Sequence, residues 1–326
     1  MSRSPRFLLI ALALMAGLCL AGCEIQQPLK DLAGRAVPQT DGHPGTATPP
    51  VSVAGGDTIK IASFNIQVFG TSKLGKPQVM DILAEVIRQF DVVAIQEVRA
   101  ADQTVVPQFV ELINARGARY DHVIGPRLGR TSSKEQYAVI FDTARIEVDR
   151  GSVYTTADPQ DLLHREPLAA RFRVRGPPPE QAFTFTLVNI HTDPDETDTE
   201  LDALGDAFVS VQRDGSGEDD VILLGDLNVD EYHLGRLGQL PDVAPAISGV
   251  PTNTRGNRAY DNIVFNRRTT TEYAGRSGVL DLIGAFRLTE EAALKVSDHF
   301  PVWAEFSVLE SGAAASVAAR PGPAVR

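Results

Sequence analysis

The chain has 326 residues, 43% of them apolar and 22% charged, with a formal net charge of −11. That length and apolar content suffice for one large core or two small ones, and they exclude a wholly disordered polypeptide. The acidic balance excludes long-range attraction to nucleic acid or an anionic membrane, so a polyanionic substrate would have to be held by local arginines and a bound cation.

The first segment is not part of a fold. Arg3 and Arg6 open it, an apolar run of 14 residues follows from Phe7 to Leu20, and "LAGC" closes it at residues 20–23. The run is too short for an ordinary membrane span. A basic start, a short apolar stretch and small residues before a cut read as an export signal over residues 1–22. The final cysteine resembles a bacterial lipobox, in which cleavage leaves Cys23 lipid-modified, and Glu24 after it is compatible with the outer membrane. An ordinary signal peptide or an uncleaved anchor is the alternative. The expected location is a bacterial membrane or cell surface reached by export, or the medium. Both cysteines, Cys19 and Cys23, lie in this segment, so the exported domain is expected to be stabilised by its core alone.

Residues 23–56, with "DGHPGTATPP" typical of them, read as a flexible tether. Residues 310–326 read as a disordered tail. One domain is therefore expected over 57–309, without internal repeats.

Within it, "IKIASFNIQV" (59–68) predicts a strand. Val79, Ile82, Leu83, Val86, Ile87 and Phe90 step by three and four, which predicts a helix with one apolar face. "DVVAIQEV" (91–98) predicts a buried strand and "FVELINA" (109–115) a short helix. Strand candidates follow in "YDHVI", "QYAVIF", "RIEVDRGSVY", "PLAARFRV" and "FTFTLVNI". Leu201, Leu204, Phe208 and Val211 mark a second helix, opened by the acidic "DETDTE", which suits the positive helix start. "DVILLGD", "YDNIVFN" and "PVWAEFSV" complete the strands. Many strands in unbroken groups with few helices predict two packed sheets with helices outside, an α/β class.

Polar residues recur where apolar strands end. Asn65 interrupts the first strand; Glu97 closes "VVAIQE"; Asn189 and His191 close "FTLVNIH"; Asp226 and Asn228 close "VILLGDLN". Asp261 begins "YDNIVF", and Asp298 and His299 precede "FPVWAEF". Each alone is a turn or a cap, but strand-end loops on a rigid scaffold commonly carry sites. Jointly the set supplies what hydrolysis at phosphorus requires. Hard oxygens such as Glu97 and Asp298 suit Mg²⁺ or Mn²⁺. Two histidines can move protons near neutral pH. Of the six, His43 lies in the tether, His122 and His233 have no obvious partner, and His164 precedes Arg165, the better candidate of the two. Only His191 and His299 stand at strand ends among other motif residues.

"FNIQVFG", "IQEVR", "VNIHT", "LLGDLN", "YDNIVF" and "SDHFPV", in that order over residues 64–302, resemble the endonuclease/exonuclease/phosphatase superfamily. "RLGRTSSKEQYAVIF" (127–141) and "REPLAARF" (165–172) resemble its deoxyribonuclease I branch. The resemblance implies a four-layered αββα sandwich of mainly antiparallel sheets. It implies Glu97 as principal metal ligand, helped by Asp298 and Asn65, with Asp226 and Asn228 holding a second metal, water or phosphate. His191 and His299 would be the acid–base pair, oriented by Glu135 and Asp261. Arg99 and Arg165 would contact DNA. The implied activity is Mg²⁺-dependent hydrolysis of DNA phosphodiesters to 5′-phosphate ends by a monomer, with no protein partner.

Two positions depart from the deoxyribonuclease I pattern. Gln67 stands where that branch has an arginine, and Ser133 where it has a minor-groove tyrosine. Ala259, before Tyr260, occupies a disulfide position of the animal enzyme, and loops 155–164 and 251–259 offer no clear carboxylate cluster, so structural Ca²⁺ is not expected. The departures keep open a phosphodiesterase or phosphatase acting on a lipid headgroup, nucleotide or inositol phosphate. A binding module that has lost catalysis is the third reading, and the complete residue set argues against it.

Overall fold

The computed structural model describes residues 56–130 and 134–311. The export signal, Cys23, the tether through residue 55, Ser133 and the tail from residue 312 lie outside the described residues.

The first half of the domain runs β1 (Thr58–Phe69), α1 (Thr71–Leu74), α2 (Pro77–Ile87), β2 (Val92–Val98), α3 (Val105–Asn114), β3 (Tyr120–Ile124), β4 (Gln136–Asp142), β5 (Ile146–Thr155) and β6 (Leu168–Val174). The second runs β7 (Thr184–His191), α4 (Thr197–Gln212), β8 (Val221–Asp226), β9 (Val243–Pro245), β10 (Asp261–Asn266), β11 (Tyr273–Val279), α5 (Leu282–Phe286), α6 (Glu290–Val296) and β12 (Val302–Ser307). They form two six-stranded sheets, ordered β11-β12-β1-β2-β4-β3 and β5-β6-β7-β8-β10-β9. The pairs β1–β2 and β7–β8 are parallel, and the other pairings are antiparallel.

Three cores make the four layers. Between the sheets, Ile61, Val92, Phe141, Phe172, Phe185, Leu224 and Phe306 pack together. Outside the first sheet, Phe64, Val93 and Ile95 meet Leu83, Ile87, Phe109 and Ile113 of α2 and α3. Outside the second, Val188, Ile190 and Leu223 meet Leu201, Leu204 and Phe208 of α4. The central strands are covered on both faces, which is why β2 and β8 are near-continuous apolar runs rather than alternating ones. One polar pin crosses the inner core. Gln96 Nε2 donates to Ser63 Oγ (3.0 Å) and Asn189 Oδ1 (2.7 Å), and Asn189 Nδ2 donates to the carbonyls of Ile95 and Ala138. Asn189, at a strand end in the sequence, thus holds the sheets together.

The predicted helices are present with small differences. The apolar stripe ends with Phe90, which is buried beyond the last turn of α2. α3 starts at Val105, earlier than the apolar pattern indicates, because Pro107 sits in its first turn, where no intrahelical donor is lost.

The topology gathers the polar strand ends. The parallel pairs β1–β2 and β7–β8 end at one edge of the sandwich. β4, β10 and β12 run antiparallel to β2, β8 and β1, so their starts open on that same edge.

Candidate active site

A cleft of about 420 Å³ opens at this edge, lined by Glu97, Arg99, Glu135, Arg165, His191, Asp226, Asn228, Asp298 and His299. Asn65 and Asp261 stand directly behind it. The structure therefore brings together every candidate chemical residue of the sequence except Cys23, which lies outside the described residues.

Asp226, the last residue of β8, is the hub. Its Oδ2 accepts from Asn65 Nδ2 at 2.9 Å and lies 3.5 Å from His191 Nε2 and 3.4 Å from His299 Nε2. Its Oδ1 accepts the backbone N–H of Asn228 at 3.1 Å. Each histidine is held from the other side of its ring. His191 Nδ1 lies 3.0 Å from Glu135 Oε2, and His299 Nδ1 lies 2.8 Å from Asp261 Oδ2. Asp261 is fixed in turn by the Thr252 hydroxyl at 2.6 Å.

These partners set the charge state. Burial works against the imidazolium of His191, but the bond to Glu135 and the charge of Asp226 outweigh it and hold its pKa above the ordinary range. Burial opposes His299 likewise, and Asp261 and Asp226 carry it well above. Burial favours protonation of Glu135, but His191, Arg165 and Arg99 pull its pKa below the usual carboxylate value.

The metal-type residues sit on the other flank. Glu97 takes a left-handed backbone (φ 60°), a conformation that costs on the order of 1 kcal/mol or more for a non-glycine residue. Its Oε1 accepts from Asn65 Nδ2 at 3.2 Å, and its Oε2 accepts from the Val68 backbone at 2.7 Å. Asn65, read from the sequence as an aid to metal binding, turns its amide nitrogen to both carboxylates and its oxygen to the Gln67 N–H. Asp298 Oδ1 has no hydrogen-bond donor, lies 3.9 Å from His299 Nε2, and lines the same cleft as Glu97. An anionic oxygen that no hydrogen bond reaches, in a cleft that also holds the Glu97 carboxylate, fits a hard divalent cation such as Mg²⁺, which prefers oxygen ligands. Ligand atoms of Asp226, Asp261 and His299 also lie within 4.8 Å of one another, but they are already bonded within the acid–base network.

The two arginines differ in setting. Arg99 bridges Glu97 (3.0 Å) and Glu135 (2.9 Å) at the cleft wall. Arg165 is buried, donates to the carbonyls of His191 and Thr192, and lies 3.6 Å from Glu135. Asn228, with φ 52°, donates to the Thr192 carbonyl at 2.9 Å.

Several supports have no motif to announce them. Tyr137 Oη accepts the His191 N–H at 3.0 Å and donates back to the His191 carbonyl at 3.4 Å. Ser297 Oγ donates to the Asn65 carbonyl at 2.7 Å. Lys73, buried in α1, donates to the carbonyls of Ile66 and Val296 at 2.7 Å each, and burial lowers its pKa to about 8. It ties the segment after Asn65 to the segment before Asp298. His164 lines the cleft 3.5 Å from Asp193, and its place beside Arg165 in the sequence was the only signal for it. His122 and His233 stand away from the cleft. His233 pairs with Asp230 on the exposed surface, a partner three residues back.

Two mixed sheets flanked by helices, with carboxylate-backed histidines at one edge, define a hydrolase-type α/β sandwich. The sequence profile of the Endonuclease/Exonuclease/phosphatase family matches residues 62–299, and the chain belongs to that family. Deoxyribonuclease gamma of Rattus norvegicus is 31% identical to it over 280 residues, covering 81% of this chain and 88% of the relative. Deoxyribonuclease-1-like 1 of Chlorocebus aethiops is 32% identical over 273 residues, covering 80% and 88%. A functionally unknown conserved protein of Enterococcus faecalis, 16% identical, shares the fold with a TM-score of 0.54 over 76% of this chain and 98% of that one.

Proposed function

We propose that the protein is an exported, divalent-metal-dependent endonuclease that hydrolyses DNA phosphodiesters and leaves 5′-phosphate ends. The observation that carries this reading is the pair of carboxylate-backed histidines meeting at one oxygen of Asp226, in a cleft that also holds the carboxylates of Glu97 and Asp298. The deoxyribonuclease names of the relatives above support the choice of substrate.

A phosphodiester in the cleft lies between the two Nε2 atoms. One histidine takes a proton from water as the water oxygen attacks phosphorus. The other donates a proton to the departing 3′ oxygen, so a 3′ hydroxyl and a 5′ phosphate result. Glu135 and Asp261 keep both rings in the tautomer that leaves Nε2 facing the substrate. Asn228 uses one amide hydrogen on Thr192, and its second is suited to a phosphate oxygen without adding charge. Glu97 and Asp298 would hold a divalent cation such as Mg²⁺ or Mn²⁺, which would supply charge neutralisation at the phosphoryl group. Arg99 and Arg165 serve the substrate side, Arg99 from the cleft wall and Arg165 by fixing the His191 backbone. The same reading places the chain outside the cytoplasm, held by lipid on Cys23 or released, and acting as a monomer.

A second reading keeps this chemistry and changes the substrate to a smaller phosphate ester. Gln67 favours it, because a neutral side chain stands two residues after Asn65, where a DNA-gripping arginine is expected.

The test is plasmid nicking by the full chain with Mg²⁺, with EDTA, and in His191→Ala and His299→Ala. Open-circle product that requires metal and both histidines supports the endonuclease. An intact plasmid together with cleavage of a chromogenic phosphodiester under the same requirements selects the second reading.

A further inference from the structure

At the edge of the sandwich away from the histidines, Asp220 precedes β8, Glu272 precedes β11 and Glu310 follows β12. β8 separates Asp220 from the catalytic edge by about 20 Å at roughly 3.3 Å per residue. Asp220 belongs to the second sheet, and the other two flank strands of the first. Each offers a carboxylate oxygen, and the three oxygens lie within 4.8 Å of one another. Glu218 stands beside them and accepts the Asp220 N–H at 3.0 Å.

Buried carboxylates converge at a cost unless something positive joins them. Asp220 is 1% exposed and Glu272 2%, and each has an oxygen, Oδ1 and Oε2 respectively, that no hydrogen bond reaches. The other oxygen of Glu272 is occupied by Ser311, whose backbone N–H and hydroxyl donate at 2.7 and 2.8 Å. Glu310 Oε2 accepts the Thr184 N–H at 3.4 Å. The Thr270 hydroxyl stands beside Asp220, short of hydrogen-bond geometry. No lysine or arginine among the described residues forms an ion pair with Asp220, Glu272 or Glu310. Burial and the neighbouring Glu272, Glu310 and Glu218 push Asp220 up to about 9, so without a cation the cluster holds a proton at neutral pH.

We propose that Asp220, Glu272 and Glu310 form a structural divalent-cation site, suited to Ca²⁺, that clasps the two sheets together. Three carboxylates supply up to six hard oxygens, and Ca²⁺ takes six to eight at flexible angles. The site lies outside the loops 155–164 and 251–259. It is independent of the proposed catalytic chemistry, because none of its residues touches the cleft. The ion would fix the chain's exit, where Leu309 bridges to Ala182 and Ser311 folds back on Glu272.

The test is thermal unfolding of the full chain at pH 8 after EDTA treatment, with Ca²⁺ alone as titrant. The expected wild-type result is a rise in Tm of about 5–10 °C at Ca²⁺ well above its Kd. Asp220→Asn, Glu272→Gln and Glu310→Gln should each reduce that rise to under about 2 °C. Asp220→Asn should also raise the metal-free Tm, because at pH 8 the folded carboxyl must take up a proton that the amide does not need. Glu310→Gln, at the half-buried rim, keeps the test open if the buried variants do not fold. Nicking with Mg²⁺ at 25 °C should persist in all three, which separates this site from the cleft. A wild type without a Ca²⁺ shift, or a shift that Glu310→Gln and Asp220→Asn retain, overturns the proposal.

Discussion

His191 and His299 aim their Nε2 atoms at a single atom, Asp226 Oδ2, from 3.5 and 3.4 Å. One comes from the end of β7 and the other from the approach to β12, in different sheets, so only the packing of the sandwich makes them neighbours. Residues that act on one substrate as a unit lose their effect together. His191→Ala and His299→Ala should each lower kcat for plasmid nicking by about 10²–10⁴-fold. The double variant should be no more than about tenfold worse than the weaker single. A double variant reduced by the product of the two factors would show that the histidines work independently.

Gln67 is partly exposed two residues after Asn65, and its N–H is tied to Asn65 Oδ1 at 2.9 Å. Replacing it by arginine adds a charge at the strand tip while leaving the backbone bond in place. Gln67→Arg should tighten DNA binding by about 1–3 kcal/mol at low salt, with a steeper salt dependence of KM and little change in kcat. Equal salt slopes for both proteins would mean that the substrate does not pass over this position.

Gly225 lies within β8, opposite Ile190 of β7 in the parallel ladder. A Cβ there would come within 1.8 Å of the Ile190 carbonyl oxygen. Gly225→Ala should therefore destabilise the domain by about 4 kcal/mol or more, or prevent folding. Gly117→Ala, whose Cβ would meet nothing within 4 Å, should cost only about 1 kcal/mol for its positive φ. Urea midpoints of the two variants measure the contrast.

Lys73 is the cation behind the cleft, and burial holds its pKa at about 8, below the ordinary 10.5. The unfolded amine binds its proton more tightly than the folded one. Stability from this group is therefore lowest below pH 8 and rises between pH 8 and 10.5. Relative to Lys73→Met, the wild type should gain up to about 3 kcal/mol across that window, read as diverging urea midpoints. A constant difference would show that the ammonium is not desolvated. At pH 7 the variant should also lose kcat, because two carbonyls that flank Asn65 and Asp298 lose their donor.

Most of the sandwich is legible in the sequence because its central strands are buried on both faces and appear as apolar runs. β9 and β11 are not. The first spans only three residues, and the second, "YAGRSGV", is a bulged edge strand of small and polar residues. α5 and α6 are too short to show a period. The chemical residues are legible because each interrupts or ends an apolar run. Their supports are not. Tyr137 and Ser63 sit among apolar neighbours as ordinary strand residues, and Lys73 looks like any solvated lysine until the carbonyls of Ile66 and Val296 close over it. Glu272 and Glu310 lie far apart along the chain, and only the pairing of β11 with β12 makes them neighbours.

β1 starts at Thr58 and β12 ends at Ser307, and these two residues are paired in the ladder. The domain is therefore entered and left at the pole opposite the histidines. Both ends of this antiparallel pair stand a full strand length from Asp226 and the histidines, so neither end of the ladder crosses the approach to the cleft.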